Sequence, residues 1–408
     1  MVLELLDRVW STCRTSTEVG VHRRLAIRRA IAVVRPNATR MVLDELLHLA
    51  APGADPQPEA LAVLMRYAER LQYESEFRLA SHVYSMVIDY ATHIGHFELL
   101  LEAYEHHGTC MRERGDALAA MASYATGLSL AARRRNRRAH IRIAIAQSDL
   151  YWSIDRAEDA RKLLDPMLRR ARRLADPELL MRAAHERGIV SHKLGDDMEA
   201  LLYFAEAFRN CADPKHQGRL LNDVGLSFYA LGFLAEAGDA WLVSYLVTRG
   251  DSYAKWAAGI NLLMLASVRG DEMAFDQYRE ALARAPMEAK LLVPYWREVA
   301  DGLAKFRRPR EATAAYKRVA TLADRHGYTK QAQEAVRALE GNPVAEPSPA
   351  TPPANLPAVA DDLLAKVRAL RSLPNLLGRA WSGDANAASA APLRTALRRG
   401  RPPRSGVA

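Results

Sequence analysis

Residues 188–208 read GIVSHKLGDDMEALLYFAEAF. Small residues stand at Gly188, Gly195, Ala200 and Ala207, and an aromatic at Phe204. Residues four apart lie one turn along the same helix face, so Ala200 and Phe204 form one stripe. Gly195 tolerates the left-handed backbone that ends a helix. The stretch predicts a helix, a tight turn and a second helix whose backbones approach closely where their residues are small.

The spacing recurs along the chain. The alanine returns at Ala80, Ala120, Ala160, Ala200, Ala237, Ala274 and Ala312. Four residues on stand Tyr84, Tyr124, Leu164, Phe204, Trp241, Tyr278 and Tyr316. Six of these seven are aromatic, whereas a chain with 7% aromatics would place about half of one there by chance. Twelve residues before each alanine come Ala68, Gly108, Ser148, Gly188, Gly225, Leu262 and Ala300, small in every case but Leu262. Gly115, Gly195 and Gly232 fall five before it, and Gly270 falls one place late, so the sixth repeat is irregular. A period of 37–40 residues implies stacked supersecondary units, none of which can bury its apolar face alone.

The small–large–turn–Ala–aromatic framework resembles the tetratricopeptide repeat (TPR). It is clearest in HERGIVSHKLGDDMEALLYFAEAF and NDVGLSFYALGFLAEAGDAWLVSYL. The resemblance covers roughly residues 60–340, with a period longer than the family's usual one, as in long-period bacterial regulators. It implies an all-α, right-handed solenoid superhelix of about seven hairpins. The expected domains are an N-terminal helical cap (1–58), the solenoid (59–340), a Pro-rich disordered linker (341–360), then a short amphipathic helix and basic disordered tail (361–408).

Composition sets outer bounds. Apolar residues are 49% and charged residues 26% of the 408, as in ordinary folded proteins. Ile260–Val268 is about half the length that would cross a bilayer. The N-terminus shows no apolar signal core, and Cys13, Cys110 and Cys211 form no C-x-x-C pair. A cytoplasmic protein with reduced thiols is expected. The net charge of +9 is uneven. Residues 394–408 supply +5 through Arg394, Arg398, Arg399, Arg401 and Arg404, residues 341–393 balance, and the first 340 carry the remaining +4.

The two ends read differently. Residues 1–50 show helical apolar spacing at Leu25, Ile27, Ile31, Val34, Val42, Leu43, Leu46 and Leu47, before the break APGADPQP at 51–58. This reads as a cap. The basic HRRLAIRR would also suit a separate partner- or DNA-binding module, although no helix-turn-helix turn follows it. The prolines of EGNPVAEPSPATPPANLP predict a spacer. A short helix at about Asp361–Leu370 puts Leu363, Leu364, Val367 and Leu370 on one side. The tail's Arg399-Gly400-Arg401-Pro402 resembles the AT-hook core, which makes Arg398, Arg399, Arg401 and Arg404 nucleic-acid candidates.

Catalytic signatures are missing. There is no Gly-rich phosphate loop, no G-x-S-x-G and no H-E-x-x-H. His93, His96, His106, His107 and Cys110 crowd one region without zinc-ligand spacing, so neither metal nor cofactor is expected. The arginine run ARRRNRRAHIR (131–142) reads first as a solvated face and second as a phosphate patch. In the resembled family the first helix of each hairpin lines a peptide groove. Aligned on the small residue, this points to Arg142, Asp149, Trp152, Arg182, His185, His192, Arg219, Asn222, Tyr229 and Asn261. The family's Lys/Asn carboxylate clamp would fall at Ile145 and Asp149, His185 and Ile189, and Asn222 and Leu226, so it is absent. The reading is a non-enzymatic adaptor or scaffold that binds a protein or peptide segment. The alternative is a regulator that also contacts nucleic acid through its arginine clusters and tail.

Overall fold

The computed structural model describes residues 2–14, 21–35, 37–49, 58–248, 252–287, 289–325, 328–341, 350–352 and 358–372. These hold nineteen α-helices and no strand. They divide into two compact units, 1–175 and 176–408.

In the first unit, α1 (Val2–Arg14), α2 (Val21–Ala32) and α3 (Asn37–Leu49) lead into α4 (Pro58–Tyr73) and α5 (Phe77–Ile94), α6 (Phe97–Glu113) and α7 (Ala117–Arg133), and α8 (Arg137–Ser153) and α9 (Ala157–Leu174). The last six form three hairpins. The N-terminal helices share their core: Leu6, Ile31, Leu43 and Leu46 join Leu61 and Leu64 in one apolar cluster. Leu25, expected on the apolar face, is exposed.

The second unit continues as α10 (Pro177–Lys193) and α11 (Asp197–Arg209), α12 (Pro214–Ala230) and α13 (Leu234–Val247), α14 (Ser252–Arg269) and α15 (Glu272–Ala283), and α16 (Ala289–Lys305) and α17 (Pro309–Arg325). Then come α18 (Thr329–Leu339), which packs on α17, and α19 (Ala358–Arg371).

One turn design recurs. A left-handed residue ends the helix, and the next residue caps the helix that follows. Glycine–aspartate pairs do this at Gly115–Asp116, Gly195–Asp196 and Gly270–Asp271, with φ of 79°, 81° and 70° at the glycines, and Arg135–Asn136 does it at the start of α8. Each aspartate accepts a bond from the backbone N–H three residues on, at 3.0 Å in all three turns. The capping residue's own N–H reaches back five residues, as Asp196 does to the Ser191 carbonyl at 2.9 Å.

The small and aromatic columns meet as expected. A β-carbon on Gly108 would stand 2.5 Å from the Tyr124 ring, and one on Gly225 2.3 Å from Trp241 Nε1. Tyr84, Tyr124, Phe204 and Trp241 are fully buried. The sixth repeat departs from the pattern. Tyr278 is only half-buried, and Phe275 takes the core position instead, pressing on Gly302 of α16. In this repeat Leu262 stands on α14 where the other first helices carry a small residue, and the ring that fills the core seats on α16 instead.

The amphipathic helix of the C-terminal segment is α19, and it folds back. It packs on α11 and α13, the second helices of two consecutive hairpins. Leu363, Leu364 and Val367 are buried, and Arg371 and Arg368 meet Asp239 and Glu236 of α13. Upstream, the Ala350 N–H reaches the Ala230 carbonyl at 3.4 Å, over the α12–α13 turn. There a β-carbon on Gly232 would lie 2.0 Å from the Ala350 oxygen. The remainder of the linker and the tail with Arg398, Arg399, Arg401 and Arg404 lie outside the described residues.

Candidate functional site

The first helices bury the face that carries residues such as Gly108, Gly188 and Gly225 and turn another face outward. On that face, polar side chains of neighbouring first helices bond to each other. In the second unit the chain of bonds runs over three helices. His185 Nε2 on α10 lies 2.8 Å from Asp223 Oδ2 on α12. Asn222 Nδ2 donates to Asp223 Oδ1 at 3.2 Å, and Asn261 Nδ2 on α14 donates to Asn222 Oδ1 at 3.0 Å. The Asn222 carbonyl also accepts the Trp241 indole N–H at 3.0 Å, tying this line to the hairpin core. His185 stands edge-on to the Phe204 ring. The line is anchored below and fixed laterally.

Three of the expected groove residues (His185, Asn222 and Asn261) are thus joined, and Asp223 joins them unforeseen. Arg182 is half-buried and Arg219 exposed on the same two helices. His192 is drawn elsewhere: its Nδ1 lies 2.6 Å from Asp197 Oδ1 at the start of α11. Tyr229 is half-buried, its ring centroid 5.9 Å from that of Trp241. Both rings serve their own hairpins.

The first unit has its own cross-helix pairs. Arg142 of α8 bonds the buried Glu105 of α6 at 3.0 Å, and Asp149 faces Arg112 of α6 at 3.9 Å. Trp152 is half-buried near the end of α8.

The histidine-rich stretch disperses into structural roles. His96 caps α6, and His107 lies 2.8 Å from Ser123 Oγ. Burial holds the His107 imidazole below its usual pKa and pushes the Cys110 thiol up to about 12. His106 stacks on Tyr84 and meets Gln72 at 3.2 Å. Its ring also comes within 4.8 Å of carboxylates of Glu69 and Glu102.

A buried ion pair was hidden from sequence reasoning. Arg187, 2% exposed, pairs with Glu199 at 3.1 Å and lies over the Tyr203 ring at 4.7 Å. The only signal was its place beside Gly188 on the packed face.

No helix among the described residues is long and apolar enough to cross a membrane. No family model and no curated protein matches the chain. Several solved structures are similar to it. A Rap protein complexed with competence and sporulation factor is 13% identical over 90% of this chain and 100% of that one, with a TM-score of 0.43. The Rap conjugation gene regulator of plasmid pLS20, in complex with the Phr* peptide, is 14% identical over 91% and 97%, again with a TM-score of 0.43. The TPR domain of P58(IPK) is 14% identical over 86% and 98%, with a TM-score of 0.23. The chain's own hairpins, with their capped left-handed turns and aromatic rings seated on glycine, give it an all-α helical-repeat fold of the kind the tetratricopeptide resemblance implies.

Proposed function

We propose that this chain is a non-enzymatic adaptor or scaffold that captures a peptide or protein segment on the first-helix face of its second unit. The observation that carries this reading is the line His185–Asp223–Asn222–Asn261, which spans α10, α12 and α14. Side chains that hold each other in place lose little freedom on binding, and preorganisation of this kind favours affinity. Amide and carboxylate groups one repeat apart suit the alternating donors and acceptors of an extended backbone. Arg182 and Arg219 beside the line suit carboxylates on the ligand.

The test is selection from a random-peptide display library against the full chain. Enriched peptides should bind wild type and lose at least about tenfold affinity to an Arg182→Ala/Arg219→Ala variant, one charge-assisted contact being worth that much. Enriched peptides that bind the variant equally well would move the site off this face.

A further inference from the structure

The first unit holds an arginine-lined cavity. A cavity of about 520 Å³ opens where the α7–α8 turn meets the end of α9. Arg135, Asn136, Arg137 and His140 line it from the turn and α8, and Arg170 and Arg173 from α9. Ala131, Ala132 and Leu174 form the apolar part of the wall. The volume falls within the roughly 300–1,000 Å³ usual for small-molecule sites.

The charge of this cavity has no internal balance. Among the described residues no carboxylate pairs with Arg135, Arg137, Arg170 or Arg173, while elsewhere arginines such as Arg142, Arg187 and Arg308 each meet one. Helix electrostatics account for only half of the set. Arg170 and Arg173 stand in the last turns of α9, where cations suit the negative helix end. Arg137 opens α8, whose first turn holds no acid, and there a cation opposes the positive helix end. Arg135 takes the left-handed corner, φ 54°, that glycine occupies at Gly95. A residue with a β-carbon is disfavoured in that conformation. Arg137 thus stands where helix electrostatics argue against it, and Arg135 beside it, in a left-handed corner that Ser75, Asp155, Ala175 and Arg307 also take in other turns, lines the same cavity.

We infer that this cavity binds a phosphorylated small molecule of nucleotide size that carries at least two phosphoryl groups. One phosphate engages about two guanidinium groups in forked pairs, so four guanidiniums from three elements call for more than one anionic group. The N-terminus of α8 adds its own positive field. The alanine and leucine wall leaves room for an uncharged moiety. Burial and Arg170 hold His140 below its ordinary pKa, which favours the neutral imidazole. This site shares no residue with the peptide face and stands or falls apart from it.

Calorimetric titration of the full chain at physiological salt, with pyrophosphate and with ADP as probes, tests the inference. Saturable one-to-one binding is expected for at least one probe. It should weaken about tenfold or more in Arg135→Gln/Arg137→Gln, and also in Arg173→Gln alone, which leaves the turn untouched. An Arg399→Gln/Arg401→Gln tail variant should bind as wild type does. No saturable binding below about 1 mM, or equal weakening in the tail variant, overturns the proposal. So does binding of a short mixed-sequence DNA duplex that the cavity variants lose while neither small probe binds, since the ligand would then be a nucleic-acid backbone.

Discussion

Gly188 lies under the ring of Phe204 so closely that a β-carbon there would stand 2.4 Å from the ring's Cε1. The two residues are each other's boundary. The helix can approach only because one has no side chain, and the resulting space is filled only because the other has a large one. Phe204→Ala should therefore cost about 3–5 kcal/mol and Gly188→Ala about 1–3 kcal/mol. Denaturant titration of both variants checks this. A Phe204→Ala variant within about 0.5 kcal/mol of wild type would place the ring outside the core.

The polar line on α10, α12 and α14 separates stability from binding. Asn222, 9% exposed, has its side-chain carbonyl and its amide N–H both in use. Asn222→Leu should lower stability by about 1–3 kcal/mol, because Asn261 and Asp223 are left without that partner. Arg182→Ala/Arg219→Ala should stay within about 1 kcal/mol of wild type, the range for surface sites. Melting curves of both decide it.

Removal of α19 should destabilise the second unit. Four buried apolar side chains (Ala360, Leu363, Leu364 and Val367) and two ion pairs go with it. A 1–349 chain that loses a net 2 kcal/mol or so should melt about 4–8 °C lower. An unchanged midpoint would mean that the helix's ordering cost cancels its contacts.

Asp239 adds a pH signature. Burial raises its pKa above the ordinary carboxylate value, and Arg371 opposes the rise. A raised carboxylate pKa penalises the folded state above that pKa, and the penalty fades as pH falls through it. Arg371→Met removes the opposing cation and pushes the value higher still. That variant should regain stability relative to wild type as pH falls from neutral into the acid range, as read from thermal midpoints at each pH.

Each unit carries a natural reporter. Burial raises the thiol pKa of Cys110 in the first unit and Cys211 in the second. In a Cys13→Ser background, neither should react readily with iodoacetamide at neutral pH, because thiolate is scarce and access is closed. Alkylation in rising denaturant, followed by peptide mass spectrometry, should show each thiol appearing with the opening of its own unit.

The repeat was legible because its marker is covalent geometry. A glycine and a ring at fixed spacing leave few alternatives, and Gly108, Gly188 and Gly225 all received the expected aromatic. The last two repeats depart from the column: Phe275 fills the core in place of Tyr278, and Tyr316 is half-buried with its hydroxyl on Asp301. The polar line was half visible. His185, Asn222 and Asn261 lie at outward helical positions, while Asp223 does not share their register and entered only through its bonds. Arg187–Glu199 was invisible because arginine in a polar helix reads as solvated. The seat of α19 was hidden for another reason. Its leucines announce an apolar face, but nothing local to them names α11 and α13 as its cover.

That seat also matters to the order in which the chain is made. Arg368 and Arg371 each lie 132 residues after their partners on α13. At about 5–20 residues per second, synthesis delivers them roughly 7–26 s later. Through that interval α11 and α13 are complete but lack the cover that α19 gives them. α19 closes that surface only once the interval has passed.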